Sequence, residues 1–362
     1  MKTVKLGEVC KIVNGGTPKT GVAEYWDGDI LWITPKDLGK LKTVATDYTS
    51  RTITEQGVEN SSAKVIPANS VILSTRAPIG HVVINSQPMA FNQGCRGLVP
   101  GDDLVVEYLY YFLKLSKNHL NELGTGTTFR ELSTGALSGV ELPLTSLEEQ
   151  QQIVARLDAA FERISAAEVL MRRSLDNVSA LQKSILHKYL STDDSTHRLG
   201  DVITLHRGYD LPKRLRKPGS YPLASSSGII DVHNAFKATG PGVFTGRSGS
   251  VGKAYYIDED YWPLNTTLYV KDFHGNNPRY CYWLLKSIDL TQFAGGTGVP
   301  TLNRNVVHEH RVSIVDAEKQ AEVANKIDDA MEKTRQLESH YTKKLAKLTD
   351  LRKSLLSEAF TD

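Results

Sequence analysis

The chain has 362 residues, of which 40% are apolar, 23% charged and 8% aromatic; 43 basic and 41 acidic side chains leave a formal net charge of +2. That length is ample for two or three domains with real cores, and the composition excludes a disordered, collagen-like or disulfide-stapled chain. A charge so near zero also speaks against a nucleic-acid binder, which usually carries a basic excess. Three widely spaced cysteines, Cys10, Cys95 and Cys281, fit a reducing compartment. There is no apolar leader, and no apolar run nears the ~18 residues of a membrane helix, so a soluble cytoplasmic protein is expected.

Residues 1–142 are short β-branched and aromatic runs broken by Gly, Pro, Asn and Asp, as at 30–34 and 70–74. Such runs read as strands. A helix is predicted over 104–117. From 148 to 189 there is no Pro or Gly, and apolar residues fall at Val154, Leu157, Phe161, Ile164, Met171, Leu175, Val178, Ile185 and Tyr189. Steps of three and four, with Glu168 and Gln182 filling two slots, define a heptad seam. Ser146 with Glu149 three residues on forms a capping box at its start. A polar link, 191–196, follows. Residues 197–315 return to short strands, with a helix predicted over 279–287. Residues 318–360 again lack Pro and Gly; their seam is Val323, Ile327, Ala330, Thr334, Leu337, Tyr341, Leu348, Leu351 and Leu355. At 1.5 Å per residue each helix is roughly 60 Å long. Neither seam can stay exposed, so the two are expected to pair antiparallel, with the two globules at opposite ends of a stiff rod; the alternatives are that each helix packs on its own globule or that each seam dimerises between chains.

The halves repeat each other. Leu6-Gly7-Glu8-Val9 recurs as Leu199-Gly200-Asp201-Val202. The run from Val71 through Arg76 to Gly80 resembles that from Gly242 through Arg247 to Gly252. Gly124-Thr125-Gly126-Thr127 matches Gly296-Thr297-Gly298-Val299, and Glu148-Glu149-Gln150 matches Glu318-Lys319-Gln320. From Arg76 onward the offset stays near 170 residues, between 170 and 172. The expected architecture is therefore a tandem, pseudo-two-fold duplication of mixed α+β class: globules at 1–142 and 197–315, helices at 143–190 and 316–362, and a linker at 191–196.

No catalytic constellation emerges. The stretch 246–253 has the wrong glycine spacing for a phosphate loop, and Ala254 stands where Ser or Thr is required; it reads as a Gly-rich turn. His308-Glu309-His310 lacks the i, i+4 spacing of a zinc helix and reads as a strand with a structural role. Asn276-Asn277-Pro278 lacks the following aromatic of an amino-methyltransferase motif. Neither catalytic nor metal-binding residues are expected.

What remains concerns binding. Segment by segment, the net charge is 0 over 1–142, −2 over 143–196, +5 over 197–315 and −1 over 316–362. The basic excess sits in the second globule, where 207–217 includes Lys213, Arg214, Arg216 and Lys217, a loop suited to phosphate contact or simply solvated. Arg76 and Arg247 hold equivalent places before Gly-containing turns. Arg can grip phosphate or guanine bidentately, or form an intradomain salt bridge. The Gly/Thr loops carrying Thr127, Thr128 and Thr297 present N–H groups and hydroxyls to phosphate; they are followed by Arg130 and by Asn303-Arg304. Asn92, Gln93 and Asn265, beside aromatics, can read adenine edges or make ordinary turn hydrogen bonds.

Four segments resemble a known family. The stretch from Tyr25-Trp26-Asp27-Gly28-Asp29-Ile30 to Pro35-Lys36-Asp37-Leu38 is similar to the opening of a target recognition domain from the specificity subunit (HsdS) of type I restriction–modification systems. So are Leu73-Ser74-Thr75-Arg76-Ala77-Pro78-Ile79-Gly80, Phe91-Asn92-Gln93-Gly94-Cys95-Arg96 and Pro143-Leu144-Thr145-Ser146-Leu147-Glu148-Glu149-Gln150. Lys36, Arg96 and Lys253, in or beside these and the matching second-half segments, complete the candidate DNA-binding set. The second globule departs more: Ser248 replaces the equivalent of Ala77, and no clear Trp-x-Gly-Asp-Ile opening is present. The resemblance implies that each globule reads half of a bipartite, asymmetric target in double-stranded DNA. The helices would act as a ruler and dock two modification (methyltransferase) subunits, and restriction subunits would add translocation and cleavage. The chain itself would be non-catalytic and hold no cofactor, with S-adenosylmethionine, ATP and Mg2+ on the partners. The rival readings are a coiled-coil adaptor that binds only proteins, and a stand-alone DNA-modifying enzyme, for which the chain is too short.

Overall fold

The computed structural model describes residues 2–126, 130–191, 196–295 and 300–361. The chain forms two compact units, Met1–Val169 with Leu345–Asp362, and Leu170–Lys344. Each contains a strand-rich body and a stretch of both long helices.

In the first unit, Lys2–Lys5 pairs antiparallel with Glu141–Leu144, tying the start of the body to its end. A five-stranded sheet orders Cys10–Asn14, Cys95–Pro100, Ser70–Ser74, Val82–Asn85 and Ala45–Thr46; a four-stranded sheet orders Arg51–Ile53, Trp26–Ile33, Met89–Phe91 and Val65–Ile66. Ser70–Ser74 is buried throughout, as its apolar run and its central place require. The helix expected over 104–117 ends as Val106–Leu115; Ser116 closes it and opens a second helix, Lys117–Leu123.

The second unit repeats this plan with shorter pieces. His197–Arg198 pairs with Arg311–Val312. One sheet orders Thr204–Arg207, Thr267–Asp272, Gly242–Gly246 and Ala254–Ile257. The parallel pairing of Trp26–Ile33 with Met89–Phe91 recurs as Tyr221–Ser225 with Trp262–Pro263. The helix Pro278–Ser287 replaces Val106–Leu115, and both bury aromatic side chains on the sheet. Cys10, Cys95 and Cys281 are buried and unpaired. Desolvation pushes the Cys10 and Cys281 thiols up to about 12, so they stay protonated and serve packing.

The long helices are Leu147–Leu190 and Ala317–Glu358. Ser146 Oγ accepts from the Glu149 N–H at 3.3 Å. The Glu149 carboxylate bonds the Thr145 hydroxyl, so the capping box closes on one side only. Within the first unit, rising numbers on one helix meet falling numbers on the other. Glu149 and Ile153 lie by Ala359 and Glu358, while Ser165 meets Arg352 at 3.0 Å. Val154, Leu157 and Ile164 are buried there, and Phe161 packs against the same core. Within the second unit Gln182 donates to Thr334 at 3.2 Å. Leu186 and Leu190 share a core with Ala324, Ile327 and Met331. Val178 is buried, and Met171 and Leu175 are half-buried.

Leu337 and Leu351, expected in the seam, are 42% and 46% exposed. The buried or half-buried line on the second helix runs through Ala324, Ile327, Met331, Thr334, Tyr341, Leu345, Leu348, Arg352 and Leu355. An unbroken heptad through these puts Glu338 and Arg352 on the seam line, one residue beyond each expected leucine. One residue is ~100° around a helix, enough to turn a side chain out to solvent. Arg352 takes a seam place by lying over the Phe161 ring, 4.9 Å from its centre, with Glu168 at 3.8 Å.

A clamp recurs at the start of each long helix. Gln150 is fully buried. Its Oε1 accepts from Val105 N–H at 2.8 Å, and its Nε2 donates to the carbonyls of Asp103 and Thr145, both at 2.9 Å. Gln320, 170 residues on and equally buried, accepts from Asn277 N–H at 2.8 Å and donates to Asn276 Oδ1 at 2.7 Å and Val315 O at 3.1 Å. Each glutamine holds the loop before the body's helix against the first turn of the long helix. A second tie lies two turns on: Tyr111 donates to Asp158, and Asp328 accepts from Arg279 Nη2 at 2.7 Å and Trp283 Nε1 at 3.0 Å.

His308 lies in a short helix, Arg304–His308, with Glu309 as its cap, so the expected strand over 308–310 does not form. His308 sits over Gly200, where a Cβ would come within 2.9 Å of its own, and this packing favours the helical turn. Its Nε2 accepts from Leu205 N–H at 2.9 Å. Burial first, and then Arg304, holds its pKa below the usual histidine value, so the ring is neutral.

Gln150→Ala and Gln320→Ala should each cost about 3 kcal/mol, because each removes a buried amide together with its three hydrogen bonds; urea unfolding measures this. His308 binds protons more weakly folded than unfolded, so it stabilises the fold above pH ~6.5. That contribution should fade as pH falls through the depressed folded value. Unfolding midpoints from pH 7 to 5 should therefore drop less in His308→Gln than in the parent chain.

Candidate nucleic-acid interface

In the first unit the hairpin of Ser70–Ser74 and Val82–Asn85 carries Arg76 in its loop. Thr75 and Arg76 both donate backbone N–H to Gly94 O, at 2.8 and 3.3 Å. Leu132 N–H donates to Thr75 O at 2.8 Å, and Ala77 N–H to Arg130 O at 3.2 Å. Three loops are thereby gathered, and Arg76, Asn92, Gln93, Arg96 and Arg130 come together. Gly80, at φ +94°, lets the hairpin loop turn back.

The two arginines nearest the centre differ in kind. Arg76 Nε pairs with Glu131 at 3.1 Å and its side chain is 47% exposed. Arg96 is 11% exposed. Its Nε donates to Thr134 Oγ1 at 3.0 Å, and its Nη1 to the carbonyls of Gln93 and Cys95 at 3.0 Å, while Nη2 meets Glu131 at 3.5 Å. Arg96 is committed to holding the loops together. Asn92 Nδ2 donates to Thr17 Oγ1 at 2.8 Å while its Oδ1 accepts from Gly94 N–H at 2.9 Å; the Thr17 hydroxyl also bonds Gln93. Lys36, exposed on the helix Pro35–Lys40, shares an open cleft of 510 Å3 with Pro78 and Asn92. Arg130 is exposed. Thr127 and Thr128 lie outside the described residues.

The second unit builds the matching loop cluster. Arg247, in the loop of the hairpin Gly242–Gly246 and Ala254–Ile257, donates N–H to Thr266 O at 2.8 Å, and its carbonyl accepts from Leu302 N–H at 2.7 Å. Its Nη1 donates to Asn265 O at 3.2 Å. Asn265 Nδ2 bonds the Asp210 carboxylate, which Arg207 approaches at 3.7 Å. Gly249 and Gly252 adopt φ +84° and +102°, so 246–253 is a tight turn. Lys213 and Arg214 form a single exposed turn, Lys213–Leu215, and Lys217 and Lys253 are exposed. Arg216 is turned inward, 17% exposed, with Asp231 at 3.8 Å. Asn303 caps Arg304–His308 through the Asn305 N–H at 3.0 Å, with Arg304 exposed. Thr297 lies outside the described residues.

Sequence reasoning missed Thr17, Glu131 and Asp210, the partners that orient the basic and amide side chains. Only Glu131, directly after Arg130 in the repeated loop, carried a signal. Among the described residues no cluster of three or more His, Cys, Asp or Glu could hold a metal ion, and no helix is long and apolar enough to cross a membrane.

A family model described as the type I restriction modification DNA specificity domain matches residues 1–168 and again 193–347. The chain belongs to this family. Both repeats of the specificity domain thus carry the matched hairpin and its arginine. The chain is 34% identical over 229 residues to the type I restriction enzyme MjaIX specificity subunit of Methanocaldococcus jannaschii, covering 58% of this chain and 53% of that one. It is 22% identical over 350 residues to the EcoprrI specificity subunit of Escherichia coli, covering 89% and 86%. The chain thus spans about half the length of the MjaIX relative. Its fold matches a chain solved in work on complex assembly and conformational transition of the type I R-M system, with TM-score 0.80, 16% identity and coverage of 99% and 97%. It also matches the HsdS subunit of Thermoanaerobacter tengcongensis, with TM-score 0.62, 15% identity and coverage of 99% and 96%.

Arg96→Ala should lower stability by about 2–3 kcal/mol, since it strands several half-buried partners. Arg76→Ala, which breaks one exposed pair, should change it by less than about 1 kcal/mol. Paired urea titrations check the contrast.

Proposed function

We propose that this chain is the DNA sequence-specificity subunit of a type I restriction–modification complex. The observation that carries this reading is the repeated loop cluster. In each specificity domain an arginine projects from the same hairpin loop, fixed by the same backbone bond to the following loop, while the surroundings differ in sequence. Each cluster reads one half of a bipartite double-stranded target, and divergence between them makes the target asymmetric. Arginine and asparagine supply the donors and acceptors that base edges require, and the exposed lysines supply phosphate contact. A +5 body and a neutral one suffice, because partner subunits share the phosphate contact.

The paired helices set the spacing between the half-sites and dock two modification subunits, with restriction subunits completing the assembly in the cytoplasm. The chain is non-catalytic. S-adenosylmethionine, ATP and Mg2+ are bound by the partners. A protein-only adaptor would need no duplicated arginine loops, so that reading is not favoured.

Co-expression with the cognate modification subunit, followed by sequencing of methylated adenines, should yield one two-part motif; absence of any motif overturns the proposal. Arg76→Ala and Arg247→Ala should each weaken methylation by about tenfold or more, with the chain still folded. Inserting four residues into both helices should change the gap within the motif and leave both half-sequences intact.

A further inference from the structure

The second specificity domain has an open cleft of 330 Å3 whose lining includes Asp210, Arg216, Asn265, Pro212, Ile230 and Leu264. Arg216 is inward and half spent. Its Nη1 makes a loose pair with Asp231 at 3.8 Å, and its Nε is buried with no hydrogen-bond partner. Native structures rarely leave a buried N–H unpaired, and doing so costs about 1–3 kcal/mol. Arg216 lines the cleft and is held there only by this loose pair, so the end of its guanidinium can take an acceptor from outside.

The neighbouring charges decide which acceptor. Asp210 lines the same cleft, and a carboxylate beside a phosphate would be repelled. Asp210 already accepts from Asn265 and is approached by Arg207, but a carboxylate offers about four lone-pair sites, so it can still take a further donor. A set of donors sharing a cleft with an acceptor that has capacity left matches a G·C pair in the major groove: guanine offers the O6 and N7 acceptors, and cytosine the N4 donor. The first domain has no such arrangement at its own cleft, where Lys36 and Asn92 face Pro78 and no carboxylate lines the wall.

We infer that Arg216 and Asp210 read a G·C base pair in the half-site of the second domain, with Asn265 positioning the carboxylate and Arg247 positioning Asn265. This rests on the proposed DNA-reading function and assigns one of its specificity determinants. It separates Arg216 from its neighbours Lys213 and Lys217, which are exposed and suited to phosphate.

The test is methylome sequencing of the co-expressed complex carrying Arg216→Ala, Arg216→Lys or Asp210→Asn, with Lys213→Ala as the comparison. The parent motif should contain a G·C pair in the second half-site. In all three variants the preference at that one position should relax by about tenfold or more, while the first half-site stays intact as an internal control. Lys213→Ala should lower methylation evenly across sequences and leave the motif unchanged. A second half-site unchanged in Arg216→Lys and Asp210→Asn, or methylation lowered evenly in them, overturns the inference while leaving the DNA-reading function standing. Loss of both half-sites in the unmutated complex overturns both. Arg216→Lys keeps the charge and the stem, so relaxed specificity in it, with an unchanged unfolding midpoint, identifies loss of the planar fork rather than loss of fold.

Discussion

A single buried amide does most to join each body to its helix. Gln150 and Gln320 are both completely excluded from solvent, and each satisfies three polar groups from two different elements. A buried amide tolerates no sliding, because any shift strands several groups at once. The strand-rich body is therefore held at a defined angle to the first turn of the long helix. The Asp158 and Asp328 ties fix the same joint two turns further along. Everything downstream of the joint, including where the hairpin loops with Arg76 and Arg247 point, inherits that geometry.

Beyond the joint, the two specificity domains separate what must persist from what must vary. The hairpin, the backbone bond from the arginine to the next loop, and the return through Leu132 or Leu302 persist. The polar partners vary. In the first domain Glu131 links Arg76 and Arg96; in the second Asp210 links Arg207 and Asn265. Backbone bonds do not depend on side-chain identity, so the scaffold can hold while the reading surface changes. This is what a duplicated recognition module needs if its halves are to prefer different sequences.

The heptad residues Val154, Leu157 and Ile164, the existence of the first long helix, and the strand-rich character of the bodies were legible from residue spacing. So was the repeat, and with it the equivalence of Arg76 and Arg247. The misreadings have one cause. Leu337 and Leu351 are the apolar residues nearest the seam, so a pattern of apolar steps selects them. The packed seam shares Ile327, Thr334, Tyr341, Leu348 and Leu355 with that pattern but takes the next residue at the alternate places, and it accepts Arg352, because its aliphatic stem and guanidinium can cover Phe161. Likewise 308–310 looks like a strand in isolation, but the close approach of Gly200 and the Leu205 N–H fit a helical turn with a neutral His308.

The amino-acid sequence by itself determined the duplication, the long helices and their pairing, and the family. The first three depend on periodicity and on repeated local motifs, and the family on the resemblance of four short segments, all of them linear properties of a chain. Only the tertiary structure decided which charged side chains are spent internally and which are free. Arg96 and Arg76 look equivalent in sequence, as do Arg216 and Lys217, yet in each pair one is turned inward and one outward. That difference arises from segments brought together across 15 residues for Arg216 and 35 or more for Arg96, and no local pattern records it.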